Sequence, residues 1–198
     1  GRRLLKTLQP PVIFAANHCS HLDTVAILAA LPFWWRIRLA PAVRSEYFMT
    51  LLQHSDATWK KHLSVLAQYY LTCGLFNAYF LPQKMGGIHS ALRYSGELVE
   101  KKYCPLVFPE GLRSPNAQIQ PFRDGVALLA IRLGVPVVPI HIRGTFEVLS
   151  VHDDWPRRRP VQLTIGTPLN FHPGEKYKLA TRKIEAEIKK MSEFLDKD

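Results

Sequence analysis

Short apolar runs recur along the chain and predict buried β-strands. Most of them are nearly continuous rather than alternating, which is typical of strands that helices cover on both faces. The runs lie at residues 12–16, 37–40, 76–81, 106–108, 137–142 and 161–165. Strands of this kind form the middle layer of a sandwich.

Helical spacing separates the strands. Apolar residues recur at intervals of three and four over residues 22–31, 88–99, 126–133 and 177–195, and Gly134 supplies a stop for the third helix. This alternation favours an α/β fold, a single-domain sandwich with a mostly parallel central sheet flanked by helices. No repeat, low-complexity tract or linker divides the sequence, so residues 1–198 are predicted to form one domain with a short amino-terminal lead at residues 1–11.

Residues 63–81 contain no charged side chain and are nearly long enough to cross a bilayer. Polar residues and a glycine interrupt this stretch, at Ser64, Gln68, Thr72, Gly74 and Asn77. We therefore predict a helix that ends at Gly74 and a buried strand after it, rather than a membrane span.

The composition adds a strong positive charge. The chain has 26 Lys and Arg against 16 Asp and Glu, which gives a formal net charge of +10. A basic surface favours acidic partners, which include nucleic acid, an anionic membrane face and phosphate-bearing substrates. The clearest basic run, Arg157-Arg158-Arg159, is more typical of a solvated turn than of a binding patch.

The cysteines indicate a reducing compartment. Cys19, Cys73 and Cys104 are odd in number and lack C-x-x-C spacing, so all three are expected to be free thiols. The amino terminus has no signal-peptide pattern. The chain begins with Gly1 rather than Met, which fits a piece of a longer or membrane-anchored protein.

Candidate chemistry first occurs directly after the first predicted strand, in NHCSHLD at residues 17–23. Sites of α/β folds gather at the carboxyl ends of strands. If the chain folds back here, Asp23 accepts a hydrogen bond from one ring nitrogen of His18 and leaves the other nitrogen to take a proton. Such a pair serves as a general base on an alcohol, worth about 10²–10⁴ in rate. Asp23 as a helix cap and His18 bonded to backbone is the equal alternative.

A second polar segment, FPEGLRS at residues 108–114, follows another predicted strand. In a parallel sheet it faces the same crevice as His18. Arg113 offers a planar donor fork that suits a phosphate, and Gly111 permits close backbone approach. The alternative is a tight turn with an ion pair between Glu110 and Arg113. A third segment, VPVVPI at residues 135–140, by itself indicates only a buried strand.

Together, NHCSHLD, FPEGLRS and VPVVPI, in this order and spacing, resemble the signature blocks of the glycerolipid acyltransferase family of the His-x4-Asp type. That family includes glycerol-3-phosphate and lysophosphatidic acid acyltransferases. The resemblance covers residues 12–142 and is weaker over the last third of the chain. It implies a 1-acylglycerol-phosphate O-acyltransferase-like enzyme, which transfers a fatty acyl group from an acyl-CoA or acyl-carrier-protein thioester to the hydroxyl of a lysophospholipid or glycerol phosphate. It implies no cofactor apart from the donor substrate.

The resemblance also implies a role for each matching residue. His18 is expected to be the catalytic base, oriented by Asp23. The acceptor site is expected to use Glu110, Gly111 and Arg113, with Arg113 at the phosphate. Further expected substrate-binding residues are Asn17, Lys84, Ser114 and Pro139, the last as part of the site wall.

Two features depart from the family pattern. The family usually has an Arg after the strand at residues 76–81, where this chain offers Lys84, a charge without a bidentate fork. This favours a headgroup other than plain glycerol 3-phosphate. The lead at residues 1–11 is short where many relatives have membrane helices: either an anchor was removed, or the protein binds membranes peripherally, or the chain is one module of a fusion. The expected partner is an anionic membrane surface, bound peripherally at its cytoplasmic face. The aromatic segment at residues 31–36 suits a lipid interface, although such clusters more often belong to a core.

Other functions fit fewer residues. A thioester hydrolase would use the same His–Asp base with water, and a catalytically silent domain would bind lipid only. A nucleic-acid-binding domain would explain the charge but neither motif, so no nucleic acid partner is expected. A metal site at His18, His21 and Asp23 lacks a second ligand cluster, and a covalent acyl-Cys19 intermediate is disfavoured because adjacent side chains point apart.

Overall fold

The fold is taken from a computed structural model, which describes residues 3–44, 77–81, 87–150, 152–153 and 155–195. The strands are β1 (Ile13–Ala16), β2 (Leu39–Arg44), β3 (Tyr79–Leu81), β4 (Cys104–Val107), β5 (Val137–Arg143) and β6 (Gln162–Ile165). The helices are α1 (Asp23–Ala30), α2 (Phe33–Arg36), α3 (Gly87–Glu100), α4 (Gly125–Leu133), α5 (Thr145–Val148) and α6 (Tyr177–Leu195). A 3-10 turn covers Leu4–Lys6.

The described strands form one sheet in the order β3-β2-β4-β1-β5-β6. The pairs from β3 to β5 are parallel, and β6 is antiparallel to β5. β1 lies in the middle, where Phe14 is opposite Leu106 of β4 and Val138 of β5. The predicted α/β sandwich with a mostly parallel sheet is confirmed.

Apolar layers cover both faces of the sheet, which explains the continuous apolar runs in the sequence. All four residues of β1 are buried, because alternate side chains enter opposite layers. Phe14 belongs to one layer together with Ile27 of α1 and Trp35 of α2. Ile13 belongs to the other layer, with Ile184 of α6.

Most predicted elements occur close to their predicted bounds. Gly134 ends α4 with φ 63°, in the left-handed region that favours glycine. β2 begins at Leu39 rather than at residue 37, because the Ile37 amide still closes the last turn of α2 by donating to the Phe33 carbonyl at 3.2 Å. The predicted helix ending at Gly74 lies outside the described residues.

None of the helices within the described ranges is long and apolar enough to span a lipid bilayer.

Chain direction gives the sheet two different edges. Because β1, β4 and β5 are parallel neighbours, the loops that follow them meet at the carboxyl edge of the sheet. These loops include residues 17–23, 108–114 and 144–149. α1 then returns the chain to the amino edge, where α2 precedes β2.

Candidate active site

A hydrogen bond joins His18 to Asp23 at the end of β1, as the sequence predicted. The His18 Nδ1 and Asp23 Oδ2 atoms are 2.7 Å apart. The carboxylate is an acceptor, so Nδ1 carries the hydrogen and Nε2 is the basic nitrogen of the ring. The Asp23 side chain is fully buried, whereas 21% of the His18 side chain is exposed. The His18 side chain is therefore partly accessible to solvent, whereas the Asp23 carboxylate is shielded from water.

The turn between His18 and Asp23 holds the carboxylate with backbone donors. Asp23 Oδ2 also accepts hydrogen bonds from the backbone amides of Cys19, at 2.7 Å, and Ser20, at 2.9 Å. Asp23 is the first residue of α1, where amide groups favour negative charge. The alternative, with Asp23 as a helix cap and His18 bonded to backbone, is wrong: α1 has no side-chain cap hydrogen bond, and the amides that Asp23 accepts from precede the helix.

Thr145 completes the set of donors around Asp23. Its hydroxyl donates to Asp23 Oδ1 at 2.6 Å across 122 positions of sequence, and Thr145 is fully buried. It follows Gly144, which has φ 91°, at the carboxyl end of β5. Sequence reasoning missed this residue, although a Gly-Thr pair directly after a buried strand could have marked it.

Phe108 fixes the plane of the His18 ring. The two rings stack with centroids 4.1 Å apart and an angle of 20° between their planes. Phe108 directly follows β4, the neighbour of β1, so the sheet itself brings the rings together. With Nδ1 bonded to Asp23 and one ring face covered, the imidazole has little rotational freedom.

Glu110 ties the two predicted motifs together through backbone groups. Its Oε1 accepts the His18 amide at 2.7 Å, and its Oε2 accepts the Gln120 amide at 3.0 Å. Burial raises the pKa of Glu110 to about 7. The two carboxylate oxygens thus bond to backbone amides rather than to Arg113, the partner in the alternative interpretation of this segment. The predicted contact of Glu110 with the acceptor stays a prediction.

Gly111 occupies a position that a side chain would strain. Its φ is 76°, and a Cβ built there would lie 3.0 Å from Nε of Arg123. The turn itself therefore favours glycine at this position, and the predicted role of Gly111 in the acceptor site stays a prediction. The tight turn lets the chain continue to Arg113 and Ser114 beside the His18 loop.

Arg113 lies on the same edge of the sheet as His18. Its Nη1 contacts Nε2 of His21, which accepts the hydrogen bond. Burial and the nearby Arg113 charge lower the pKa of His21, so this imidazole stays neutral and keeps its acceptor nitrogen. This contact holds Arg113 next to the 17–23 turn, and its predicted contact with the acceptor phosphate stays a prediction.

The other predicted site residues have framework contacts. Asn17 bridges β1 to β5: its Nδ2 donates to the Ile142 carbonyl at 2.9 Å, and its Oδ1 accepts the Ile142 amide at 2.7 Å. Ser114 is buried, and its amide donates to the His18 carbonyl at 2.8 Å. Pro139 lies inside β5 opposite Ala15, with its ring next to Gly166. Lys84 lies outside the described residues.

The neighbours of His18 argue against two other chemistries. Burial raises the pKa of the Cys19 thiol to about 12, and its sulfur lies 3.3 Å from the Thr145 hydroxyl, so it is not poised as a thiolate nucleophile. Within the described part of the chain, no group of three His, Cys, Asp or Glu side chains is arranged to hold a metal ion.

Comparison with known proteins identifies the family. The profile of the family described as Acyltransferase matches residues 2–143. The chain belongs to the Acyltransferase family. The match contains both motifs that supply the His18–Asp23 pair and the Glu110 loop.

Individual acyltransferases are similar over different lengths. The human 1-acyl-sn-glycerol-3-phosphate acyltransferase alpha is 28% identical over 158 residues, which are 79% of this chain and 46% of that protein. The chloroplastic 1-acyl-sn-glycerol-3-phosphate acyltransferase BAT2 of Brassica napus is 43% identical over 53 residues, 27% of this chain and 15% of that protein. The chain thus spans about half or less of the length of these curated relatives.

A solved acyltransferase structure has the same fold. The 1-acyl-sn-glycerophosphate (LPA) acyltransferase PlsC from Thermotoga maritima superposes with a TM-score of 0.69 at 22% sequence identity. The superposition covers 99% of this chain and 70% of that one. The two chains therefore share the α/β sandwich fold.

Proposed function

We propose that this chain is an O-acyltransferase, which moves a fatty acyl group from a thioester to the hydroxyl of a lysophospholipid, with lysophosphatidic acid as the first candidate. The observation that carries the proposal is the 2.7 Å hydrogen bond between His18 and Asp23 at the carboxyl edge of an Acyltransferase-family sheet. The names of the similar proteins, 1-acyl-sn-glycerol-3-phosphate acyltransferases, support the choice of acceptor.

His18 is proposed to act as the general base. Nε2 takes the proton of the acceptor hydroxyl while the oxygen attacks the thioester carbonyl carbon. The tetrahedral intermediate then collapses, the carbon–sulfur bond breaks, and the proton on Nε2 goes to the departing thiolate. Asp23 is a positioning residue, because it touches the ring and not the reacting atoms. Its buried charge stabilises the imidazolium that forms between the two steps.

Arg113 is proposed to bind the phosphate of the acceptor. Its guanidinium suits a phosphate oxygen pair, and its contact with His21 keeps it near the 17–23 turn. The acyl donor is proposed to be acyl-CoA or an acyl-carrier protein, and the base reaction needs no metal or further cofactor. The reaction is proposed to take place at the cytoplasmic face of a membrane, where the lipid acceptor resides.

The test is thiol release from palmitoyl-CoA by the purified chain, with and without lysophosphatidic acid and other lysophospholipids. Release that depends on the acceptor, with an ester lipid as product, is the expected result. Release without acceptor, with free fatty acid as product, would show a hydrolase instead. No release with any acceptor or with acyl-carrier-protein donors would contradict the proposed activity.

A further inference from the structure

Two exposed aromatic segments lie at opposite edges of the sheet. α2, in the segment that the sequence suggested for lipid contact, exposes Phe33 and Trp34 at 64% and 68%. Trp35 in the same helix is buried and donates to the Leu5 carbonyl at 3.2 Å, so part of that aromatic cluster belongs to the core. Because α2 lies between the end of α1 and the start of β2, it is at the amino edge, away from His18.

The loop between α5 and β6 lies instead at the carboxyl edge. It contains Trp155 and the run Arg157-Arg158-Arg159. β6 enters the sheet with Gln162 opposite Arg143, the last residue of β5, so the loop ends where β5 ends. It lies directly against the segment that carries Thr145, because a Cβ on Gly144 would collide with the Pro160 carbonyl.

Hydrogen bonds connect this loop to the proposed base. The Arg157 amide donates to the Val148 carbonyl at 2.7 Å. The next residue, Leu149, accepts the Ser20 hydroxyl at 2.6 Å, and the Ser20 amide in turn donates to Asp23. These bonds connect the described part of the loop to the turn that holds Asp23.

The loop presents an aromatic side chain and positive charge to solvent. Trp155 is 82% exposed, the most exposed of the large apolar side chains that the structure describes. Arg157 forms an exposed salt bridge with Asp153 at 2.5 Å, which closes the turn before it. Arg158 and Arg159 are exposed, and neither forms a salt bridge to a side chain within the described ranges. Leu112, on the neighbouring loop after β4, is 57% exposed at the same edge.

This combination suits a lipid headgroup layer. Tryptophan has an apolar ring and a polar N–H, and it concentrates at the depth of the headgroups. Arginine binds lipid phosphates, and each basic residue near an anionic surface strengthens the attraction. A flat patch of arginine alone would suit nucleic acid equally, whereas a largely exposed tryptophan next to it in the sequence favours a bilayer.

We propose that Trp155 and Arg157-Arg158-Arg159 form a docking surface for an anionic phospholipid bilayer, which turns the His18 edge toward the membrane. This choice of partner rests on the proposed function, since the acceptor is a lipid of the same bilayer. The basic run that the sequence assigned to a solvated turn thereby acquires a binding role.

The test is binding of the full chain to vesicles, measured by co-sedimentation without any acyl donor. The vesicles are phosphatidylcholine alone or phosphatidylcholine containing phosphatidylglycerol. We expect binding only to the anionic vesicles, weakened roughly 30-fold by the double variant Arg158→Gln/Arg159→Gln and at least about tenfold by Trp155→Ala. Trp34→Ala is the matched control, with the same side chain at a similar exposure on the opposite edge, and should bind like wild type.

Outcomes that contradict the proposed docking surface indicate a different binding surface or a different partner. If Trp34→Ala loses affinity and the loop variants do not, the amino edge is the docking surface and the proposal is wrong. If the loop variants lose affinity for a short RNA duplex but keep vesicle affinity, the run is a nucleic-acid surface. Vesicle binding is measured without turnover, so the two proposals fail separately. A protein that binds vesicles through this loop but transfers no acyl group in the thiol-release assay would refute the proposed activity and not the docking surface.

Discussion

The Thr145 hydroxyl offers a test of the site that does not alter His18 or Asp23. It donates a 2.6 Å hydrogen bond to Asp23 Oδ1, and both side chains are fully buried. The substitution Thr145→Val removes this donor and nearly preserves the shape. The other described contact of Oδ1 is the Cys19 thiol at 3.9 Å, a weak donor, so the carboxylate oxygen loses its strong partner.

The magnitude follows from the charge on the acceptor. A buried hydrogen bond to a carboxylate is worth about 1.5–3 kcal/mol, so we expect Thr145→Val to lose about 2 kcal/mol of unfolding free energy. For a chain of 198 residues this lowers the melting temperature by about 4–8 °C. The three donors on Oδ2 stay, so His18 keeps its partner with a looser orientation, and kcat should fall roughly tenfold to a hundredfold.

The assay is the steady-state rate of ester formation from palmitoyl-CoA and lysophosphatidic acid, together with thermal unfolding. Thr145→Ser keeps the hydroxyl and should recover most of both properties. A Thr145→Val protein with a lowered melting temperature but an unchanged kcat would reduce Thr145 to a structural role. A variant unchanged in both would refute the hydrogen-bond reasoning altogether.

Three further substitutions address the second motif. Burial raises the pKa of Glu110 from 4.5 to about 7, so the folded state binds a proton more tightly than the unfolded chain and loses stability as pH rises through this window. Between the low and the high end of this pH window, urea unfolding of wild type should show a loss of unfolding free energy on the order of 2 kcal/mol, which Glu110→Gln should lack. Parallel pH dependences of the two proteins would contradict this explanation. Arg113→Ala should raise the acceptor KM roughly tenfold to a hundredfold, with partial recovery in Arg113→Lys, and an unchanged KM would exclude Arg113 from phosphate binding. Gly111→Ala should destabilise by about 1–2 kcal/mol because of its φ of 76° and should cost more than Gly174→Ala, where φ is 93° and no atom lies within 4 Å of a built Cβ. Equal melting temperatures of these two variants would show that Arg123 imposes no crowding.

The sequence was enough to predict the sandwich and the His18–Asp23 pair, and the structure shows the physical reasons. β1 is buried on both faces, so its apolar run is continuous. The spacing of five places Asp23 in the first turn of α1, where the backbone folds back on His18. In both cases the sign in the sequence is local: a continuous apolar run and a spacing of five residues.

Which residues far apart in the sequence contact each other was not predictable. Thr145 reaches Asp23 only because β5 lies next to β1, and a single sequence does not show the order of strands. Residue type also does not tell whether a polar side chain faces substrate or backbone. Asn17 bonds the Ile142 backbone, and Glu110 bonds the backbone of His18 and Gln120.

The most direct test of the central claim is the rate of ester formation from palmitoyl-CoA and lysophosphatidic acid by wild type and His18→Ala, each checked for folding by circular dichroism. A general base contributes about 10²–10⁴ in rate, so the account predicts a folded His18→Ala protein with at least a hundredfold less product. A folded variant that forms ester at a rate near that of wild type would contradict the assignment of His18 as the base.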